Sequence, residues 1–537
     1  MIEPNSIIVK VPGKILMSGG YLILNGDSQG IVVATQNAHF YCELKDDEII
    51  AELQKTEEEI HIGKLTLSSP MLIKESEHYN IWRCETTKNL HFERLNIEIN
   101  PLMDYFRNTS FALLRYLFEG SGTLCNFIPF SIHLTVWADD SFYASPCLIL
   151  SNEESWSCSI RKHVLPQDYG INAKCEINTS NEISCSSNIG KTGLGSSACL
   201  VTSVCGALLH YFLGKKMKKD SISELKTDLC CPSVFKTQLF CASHLIHSLL
   251  QGKFGSGFDV MCCCYGSHLF QQPNALQCKP ELMGREEFSG DFLRARVEDM
   301  MKIWNLPPSK LPFNASVPLF VSLCEVGSGS STVSLSSHLK KWKTEHLEEY
   351  DQLFKKLSEI NKELIEHLRD FKVEESKSED DESNTSKCDD ISSQMSSSFS
   401  FHSHSAQENF LIVLSSLFEK YRKQLLTIST KSGVPICPLL IDEVADVLKL
   451  DEDGVVAVGV PGAGGEDAFF ILLSRINSLE SVAKKINSIC SKYKRNIVLH
   501  QPFQINTAQE FSNQIVTDGF SVQILKGKLL SIQKHGI

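Results

Sequence analysis

Apolar and polar residues alternate along several stretches of the chain and recur at helical spacing along others. Alternating runs with charged turns between them, from Ser6–Val11 through residues 31–100, predict an antiparallel sheet. Further strands are predicted at Phe130–Val136, Val317–Leu323, Gly454–Val460, Asn496–Leu499 and Phe520–Ile524. Helical spacing predicts helices at Leu102–Glu119, Ser233–Leu250, Asp291–Trp304, Glu408–Thr430 and Leu479–Tyr493. The pattern predicts a chain that mixes sheets and helices.

One stretch shows neither pattern. Residues 374–407 are rich in serine and in acidic residues, with the run Glu379–Glu382 among them. Such a composition buries too little apolar surface to offset the entropy that is lost when a chain becomes ordered. We therefore predict a disordered insertion at 374–407 that the folded protein does not need.

The overall composition is that of a globular protein. A chain of 537 residues with 42% hydrophobic content can bury a large core and predicts two or more domains. Lysine and arginine total 52, whereas aspartate and glutamate total 64, which gives a formal net charge of −12. No basic block stands out, so we expect neither a nucleic acid nor an anionic membrane surface as a partner.

Cysteine usage indicates a reducing compartment. The 20 cysteines are scattered, several lie in apolar runs such as Cys262–Cys264, and no secretory signal precedes them. No set of histidines and cysteines has the spacing of zinc ligands. No apolar run is expected to reach the roughly 18 residues that a membrane helix needs. We predict a soluble, cytoplasmic protein without membrane insertion.

The stretch with the strongest chemical signal is a glycine loop, residues 190–198, which reads GKTGLGSSA and leads into an apolar helical segment. Glycines permit backbone angles at which successive N–H groups point inward, and a helix N-terminus adds partial positive charge. This arrangement predicts a polyphosphate site, with Lys191 as a mobile cation. Ser196 and Ser197 can either cap the helix or reach a phosphate-bound Mg²⁺. A plain glycine-serine turn is the alternative; a Walker loop is not, because the lysine precedes the glycines.

Three other stretches place reactive or glycine-rich residues beside buried segments. The segment VPGKILMSGGYLIL, residues 11–24, presents Lys14 after a strand and a Pro-Gly turn. The segment QGKFGSGFD, residues 251–259, ends in Asp259 just before an apolar run. A second glycine loop, PGAGGEDA, covers residues 461–468. Taken one at a time, these features indicate a surface lysine, a turn aspartate and a structural turn.

Together the four stretches resemble, in order, the motifs of the GHMP small-molecule kinases. The KTGLGSSA and GGY forms are similar to those of the fungal and plant type of phosphomevalonate kinase. The resemblance implies that Lys14 and Asp259 are catalytic and face each other, and that Ser197 reaches Mg²⁺ through the nucleotide. It implies that the ATP phosphates are bound by Lys191, Gly193, Leu194, Gly195, Ser196, Ser197 and Ala198. It implies substrate contacts at Tyr21, Ser256, Gly462, Ala463 and Gly464.

The resemblance also implies a fold and a reaction. The expected fold class is α+β, in the two-domain architecture of these kinases, with the active site in the interdomain cleft. The expected domains are an ATP-binding domain at 1–270 and a C-terminal domain at 271–537. The implied reaction transfers the γ-phosphoryl of ATP, with Mg²⁺, to mevalonate 5-phosphate and yields mevalonate 5-diphosphate, a step toward isoprenoids and sterols. ATP and mevalonate 5-phosphate are the expected partners, and both a monomer and a homodimer remain open.

Two alternatives to this function remain open. A kinase for an alcohol, such as a mevalonate kinase, shares the glycine loop but normally lacks its lysine-threonine start. A catalytically inactive sensor on the same fold would lose Lys14, the loop serines or Asp259, and all of these are present. One position departs from the resemblance. Mevalonate kinases carry a glutamate that helps to hold Mg²⁺ eleven residues before the aspartate, and here that position is Ser248.

Overall fold

The structure is a computed structural model of the chain. It describes residues 6–46, 58–71, 75–95, 100–121, 129–142, 156–160, 192–219, 232–273, 289–304, 308–311, 317–326, 332–371, 392–449, 454–476, 479–505 and 521–525. Helices and strands are both abundant in these residues. The strands form two sheets, and helices pack on them. The α+β fold class expected from the sequence is therefore confirmed.

The strands are short in the second half of the chain and longer in the first. In chain order they are β1 (Ser6–Ser18), β2 (Gly30–Asp46), β3 (Glu59–Ser68), β4 (Glu77–Cys84), β5 (Leu90–Arg94), β6 (Phe130–Ala138), β7 (Cys158–Ile160), β8 (His268–Phe270), β9 (Ser309–Lys310), β10 (Phe320–Glu325), β11 (Val455–Gly459), β12 (Ala468–Leu473), β13 (Ile497–Leu499), β14 (Phe503–Gln504) and β15 (Ser521–Leu525).

Four of the five predicted helices have bounds within two residues of the prediction, whereas the helix predicted at Glu408–Thr430 begins earlier, at Ser392. In chain order the helices are α1 (Asp104–Phe118), α2 (Ser196–Lys219), α3 (Pro232–Gln251), α4 (Phe258–Tyr265), α5 (Gly290–Ile303), α6 (Thr332–Glu345), α7 (Leu347–Asp370), α8 (Ser392–Ser432), α9 (Leu439–Val447) and α10 (Leu479–Tyr493). A 3₁₀ turn, Pro101–Met103, leads into α1, because Asn100 accepts the Leu102 N–H at its N-terminus.

Two sheets organise these elements. The first runs β15-β1-β2-β6-β3-β4-β5, with β8 paired to β2 and β9 to β8, and the second runs β11-β12-β10-β13-β7, with β14 paired to β10. Most pairs are antiparallel, as the alternating pattern predicts, but β3 pairs with β6 and β7 with β13 in parallel. Each sheet also takes a strand from the far end of the chain, since β15 borders β1 and β7 borders β13.

Helix α2 lies at the centre of the first core, where it packs on β1 and β2 and against α1 and α3. Ala198, Val201 and Leu208 on this helix are fully buried. The expectation that no apolar run would reach membrane length is wrong, because Ser196–Leu213 is long and apolar enough for a span. That window is 83% buried inside the fold, which is the environment of a core helix.

The cysteines contribute to the apolar interior. All described cysteines are free, and all except Cys84 and Cys158 are buried. Burial in apolar surroundings suits the thiol as a small hydrophobe, as the sequence predicted.

The domain boundary at 270 and the disordered insertion stay predictions. Of the insertion at 374–407, residues up to 391 lie outside the described residues, and 392–407 belong to the first turns of α8. The alternating pattern at Leu95–Ile99, the last part of the stretch 31–100, stays a prediction, because β5 ends at Arg94 and residues 96–99 lie outside the described residues.

Candidate active site

Lys14 lies at an irregular point in the pairing of β1 with β2. Pro12 pairs with His39 and Lys14 with Ala34, so the register shifts across Gly13. An irregularity of this kind bends the strand and re-aims the side chain next to it. The Pro-Gly turn predicted from the sequence is thus a bulge inside one long strand.

This bulge brings β1 against the glycine loop. A Cβ on Gly13 would lie 3.3 Å from Leu194 Cβ, which is tighter than ordinary packing allows. The Lys14 backbone N–H donates to Leu194 O at 3.0 Å, and Lys14 Nζ donates to Gly193 O at 2.8 Å. The loop therefore holds the lysine through both its backbone and its ammonium group, and the interpretation of Lys14 as a free surface lysine is wrong.

The glycine loop has the backbone shape that the sequence predicts. Gly193 and Gly195 adopt φ values of 77° and 81°, which side-chain-bearing residues rarely tolerate. Helix α2 begins at Ser196, so its first N–H groups, which have no partner inside the helix, follow directly on the loop. Ser197 and Ala198 lie in this first turn, where a bound anion meets those N–H groups and the positive end of the helix dipole.

Asp259 lies in the first turn of α4. Gly257, with φ 83°, ends the preceding loop in the left-handed region, and the Asp259 carboxylate accepts the Val260 N–H at 2.9 Å. The helix N-terminus favours a negative group at this position. The apolar residues that follow, Val260–Cys264, are buried and anchor the helix.

Gly195 is the residue where the two predicted catalytic groups meet. A Cβ placed on Gly195 would lie 3.0 Å from Lys14 Cε and 3.8 Å from Asp259 Cβ. Lys14 and Asp259 therefore flank the same glycine, immediately before the N-terminus of α2. This juxtaposition was expected only from the family resemblance, and the backbone geometry of the described residues now accounts for it.

The charges of the two groups are coupled. Burial lowers the pKa of Lys14 from its usual value, while the neighbouring Asp259 acts in the opposite direction. Burial acts to raise the pKa of Asp259, but His247, Lys14 and the Val260 N–H outweigh it, so the pKa lies below its usual value. Asp259 is thus ionised at neutral pH and favours the protonated form of Lys14.

Ser197 makes a contact that sequence reasoning missed. Its hydroxyl lies 3.1 Å from His247 Nε2 on α3, and Gln251 Nε2 lies 3.0 Å from the same ring nitrogen. Burial lowers the pKa of His247, while the nearby Asp259 acts in the opposite direction. Because Ser197 is the second residue of α2, it lies past the N-cap position, and its described hydrogen bond runs to a side chain of another helix.

The second glycine loop docks onto the segment after Lys14. Gly462 N–H donates to Leu16 O at 2.9 Å, and Tyr21 Oη donates to Ala463 O at 2.9 Å. A Cβ on Gly20 would lie 2.1 Å from Gly462 O, so only glycine permits this approach. Burial raises the pKa of Tyr21 to about 12, which keeps its hydroxyl a donor.

For the other predicted binding residues, the structure shows no contact among the described residues that bears on their predicted role. Lys191 lies outside the described residues. Ser256 is buried just before Gly257, and Gly464, with φ 73°, packs its backbone on Ile436 O. Substrate contacts at these residues stay predictions. Ser248 is buried, and its hydroxyl has no hydrogen-bond partner within the described part of the chain.

The oxygen groups of the site fit Mg²⁺ shared with a nucleotide. Mg²⁺ is usually held by one or two protein oxygens together with substrate phosphates and waters. Ser197 offers a hydroxyl at the start of α2, and Asp259 offers an ionised carboxylate on the adjacent helix. Within the described ranges no group of three or more His, Cys, Asp and Glu side chains could hold a metal by itself. The fit is therefore to a nucleotide-bound ion.

Comparisons with known proteins add independent information. No family model matches the chain. A peroxisomal phosphomevalonate kinase of Arabidopsis thaliana is 28% identical over 489 residues, which cover 87% of this chain and 90% of the relative. A phosphomevalonate kinase of Aspergillus fumigatus is 25% identical over 498 residues, which cover 88% of each. The chain is a homologue of the phosphomevalonate kinases.

This homology confirms the family resemblance drawn from the motifs. Among solved structures, the Lin0012 protein of Listeria innocua is similar in fold, with a TM-score of 0.55 at 18% identity over 97% of this chain and all of that one. The match to the relatives covers nearly the whole chain, as the order of the motifs predicted.

Sequence reasoning found Lys14, the glycine loop and Asp259 but treated His247 as one residue of an amphipathic helix. The sequence nevertheless contains a pattern that indicates a buried polar contact at His247. His244, His247, Ser248 and Gln251 recur at positions i, i+3, i+4 and i+7 of α3, so they form a polar stripe on one face of an otherwise apolar helix. A polar stripe that faces a core requires partners. For His247 that partner is the first turn of α2.

Proposed function

We propose that the protein is a phosphomevalonate kinase, which transfers the γ-phosphoryl of ATP to mevalonate 5-phosphate and releases mevalonate 5-diphosphate and ADP. The main support for this proposal is that four curated relatives, all named phosphomevalonate kinase, match 86–88% of the chain. The geometry supports it: a lysine and an ionised aspartate flank a glycine loop at a helix N-terminus. Such a site suits the transfer of a phosphoryl group between anions.

Charge neutralisation is the main chemical task at this site. The acceptor is a phosphate monoester whose second pKa is near 6, so at neutral pH its attacking oxygen is largely ionised and needs little proton abstraction. That oxygen forms a bond to the γ-phosphorus while the bond from the γ-phosphorus to the bridging oxygen breaks, and ADP leaves with the electron pair. Two anions must approach each other for this step. Lys14, held by Gly193 O, places an ammonium group at the loop where they meet.

Asp259 acts through Lys14 in this account. Its carboxylate favours the protonated lysine against the effect of burial. A phosphate acceptor is already largely ionised and needs little help from a base, whereas an alcohol acceptor would call for a general base. The aspartate is therefore a group that maintains the charge and position of Lys14.

Mg²⁺ is the cofactor that we propose alongside ATP as co-substrate. Ser197 and the nucleotide phosphates would hold it, and it would supply neutralisation of the phosphate charge. The first-turn N–H groups of α2, Lys191 and the bend at Gly195 bind and orient the phosphates. Tyr21, Ser256 and the second glycine loop, Gly462–Gly464, are the proposed substrate-side contacts.

Location and assembly belong to the same proposal. We place the protein in the cytoplasm, as its cysteine usage suggests, although the Arabidopsis relative is named as peroxisomal. Cell fractionation with a tagged chain distinguishes the two compartments. A monomer and a homodimer are both compatible with the site as proposed, because every group invoked here comes from one chain.

Product analysis tests the proposal. The purified chain is incubated with ATP, Mg²⁺ and either mevalonate 5-phosphate or mevalonate, and the products are separated and identified by mass. We expect mevalonate 5-diphosphate from the first acceptor and no product from the second. Phosphorylation of mevalonate alone would show a mevalonate kinase, and no transfer to either acceptor with ATP still bound would show an inactive sensor.

A further inference from the structure

The contact between α2 and α3 suggests how the hydroxyl of Ser197 is oriented. We propose that His247 is a positioning residue that accepts a hydrogen bond from the Ser197 hydroxyl and thereby turns the oxygen lone pairs toward the magnesium nucleotide. The inference rests on the proposed function, since it concerns how this chain presents an oxygen to nucleotide-bound Mg²⁺. It assigns a role to a residue that the motif resemblance does not include.

The donors and acceptors around His247 Nε2 define the direction of the bond. Gln251 Nε2 is an amide nitrogen, which can only donate, and it lies 3.0 Å from His247 Nε2. The ring nitrogen is therefore an acceptor. Ser197 Oγ lies 3.1 Å from the same nitrogen and therefore acts as the donor of a hydrogen bond to the ring. A hydroxyl that donates in this way keeps both lone pairs for another ligand.

Packing around His247 restricts the orientation of its imidazole ring. The histidine is only 5% exposed, and the ring of Tyr105 on α1 lies perpendicular to it, with centroids 6.3 Å apart. Three helices, α1, α2 and α3, thus meet at this imidazole. A side chain packed on several sides has few rotamers available, so its hydrogen bond holds the serine in one geometry.

The position next to His247 is occupied by a serine. Ser248, where mevalonate kinases have a glutamate, carries a buried hydroxyl with no hydrogen-bond partner among the described residues. The helix therefore presents no carboxylate at that position to fix the metal directly. His247, one residue earlier on α3, contacts the Ser197 oxygen that is proposed to bind the metal.

A binding experiment and a double-mutant cycle test the inference. ADP affinity is measured with and without Mg²⁺ for the wild type, His247→Leu, His247→Gln, Ser197→Ala and the double variant His247→Leu with Ser197→Ala. His268→Leu is the matched control, because His268 is also buried but belongs to β8 and bonds Gly266 O. Thermal melts identify any variant that fails to fold.

We expect His247→Leu to weaken Mg²⁺-dependent ADP binding by roughly 10–100-fold, the usual effect of removing a residue that orients a metal ligand, and to leave Mg²⁺-free binding unchanged. Glutamine at 247 supplies an acceptor of similar reach, so His247→Gln should stay within a few-fold of the wild type. Ser197→Ala should match His247→Leu, and the double variant should lose nothing further.

Three results would overturn the inference. His247→Leu could bind Mg²⁺·ADP as the wild type does, the two single losses could add fully in the double variant, or His268→Leu could show the same loss. These outcomes leave the proposed kinase function standing, provided that the wild type transfers phosphoryl groups. A wild-type chain that binds ADP without any response to Mg²⁺ contradicts both the inference and the proposed function.

Discussion

Replacing Gly195 with alanine isolates the effect of moving Lys14. The residue has φ 81°, and the new Cβ would lie 3.0 Å from Lys14 Cε. Gly193 offers a matched control in the same loop, because its φ is 77° and a Cβ there meets nothing within 4 Å. The two variants share the backbone strain and differ in the contact with the lysine.

The magnitudes follow from this geometry. An L-residue in the left-handed region costs about 1–2 kcal/mol, so both Gly193→Ala and Gly195→Ala should lower stability by a similar amount. Carbon atoms pack at about 3.5–4.0 Å, so Lys14 Cε must move by roughly 0.5–1 Å in the second variant. A misplacement of about 1 Å costs on the order of 10²-fold in rate. Gly195→Ala should therefore lose about 10²-fold more in kcat than Gly193→Ala.

The assay is steady-state ADP release at saturating ATP and mevalonate 5-phosphate, with nucleotide affinity and melting temperature measured separately. The expected pattern is equal melting temperatures for the two variants and a large difference in kcat. Equal losses of kcat would refute the reasoning, because they would assign the effect to strain at the glycines and not to the displaced lysine.

Two further predictions concern stability and pH. Glu77 and Arg107 form a buried ion pair, with Arg107 Nη2 2.7 Å from Glu77 Oε1, so Glu77→Gln should lower the free energy of unfolding by about 3–5 kcal/mol. The control Asp299→Asn, at an exposed ion pair, should change it by no more than about 0.5 kcal/mol. Chemical denaturation measures both. Burial acts to raise the pKa of Glu77, but hydrogen bonds from Arg107 and Tyr79 outweigh it, so the pKa lies below its usual value. The ionised carboxylate therefore stabilises the fold above about pH 4.5, and the stability difference between wild type and Glu77→Gln should shrink as the pH falls below that value. The profile of kcat/KM should have an acidic limb near pH 6 from the substrate phosphate and an alkaline limb below the usual lysine pKa of about 10.4, since burial lowers the pKa of Lys14. Loss of the acidic limb in Asp259→Asn would contradict this assignment, because the pKa of that carboxylate is already lowered.

Local features of the fold were predictable from the sequence, and long-range ones were not. Helix α10 has the predicted bounds, Leu479–Tyr493, because apolar spacing and turn residues are local signals. The parallel pairing of β3 with β6 and the addition of β15 to β1 depend on contacts between distant residues. Alternation identifies the buried face of a strand but not the strand that lies beside it.

The candidate site shows the same division. The glycine loop and the helix after it were predictable from residue chemistry, since positive φ at Gly193 and Gly195 is what glycine permits. That Lys14 and Asp259 lie close together was expected from resemblance alone, because no local pattern relates residues so far apart, and their position on either side of Gly195 was not predicted. The contact of Ser197 with His247 was missed because the histidine fits an amphipathic helix equally well as a core residue.

The most direct test of the proposed chemistry is the single-turnover transfer of the γ-phosphoryl from ATP to mevalonate 5-phosphate, with Lys14→Met and Asp259→Asn compared to the wild type at saturating substrates. ATP affinity is measured separately for each protein. We predict transfer by the wild type, a larger loss for Lys14→Met than for Asp259→Asn, and ATP binding in both variants, because the lysine neutralises charge and the aspartate supports it. A greater loss for Asp259→Asn, with binding and fold intact, would contradict the account and show that the aspartate removes a proton.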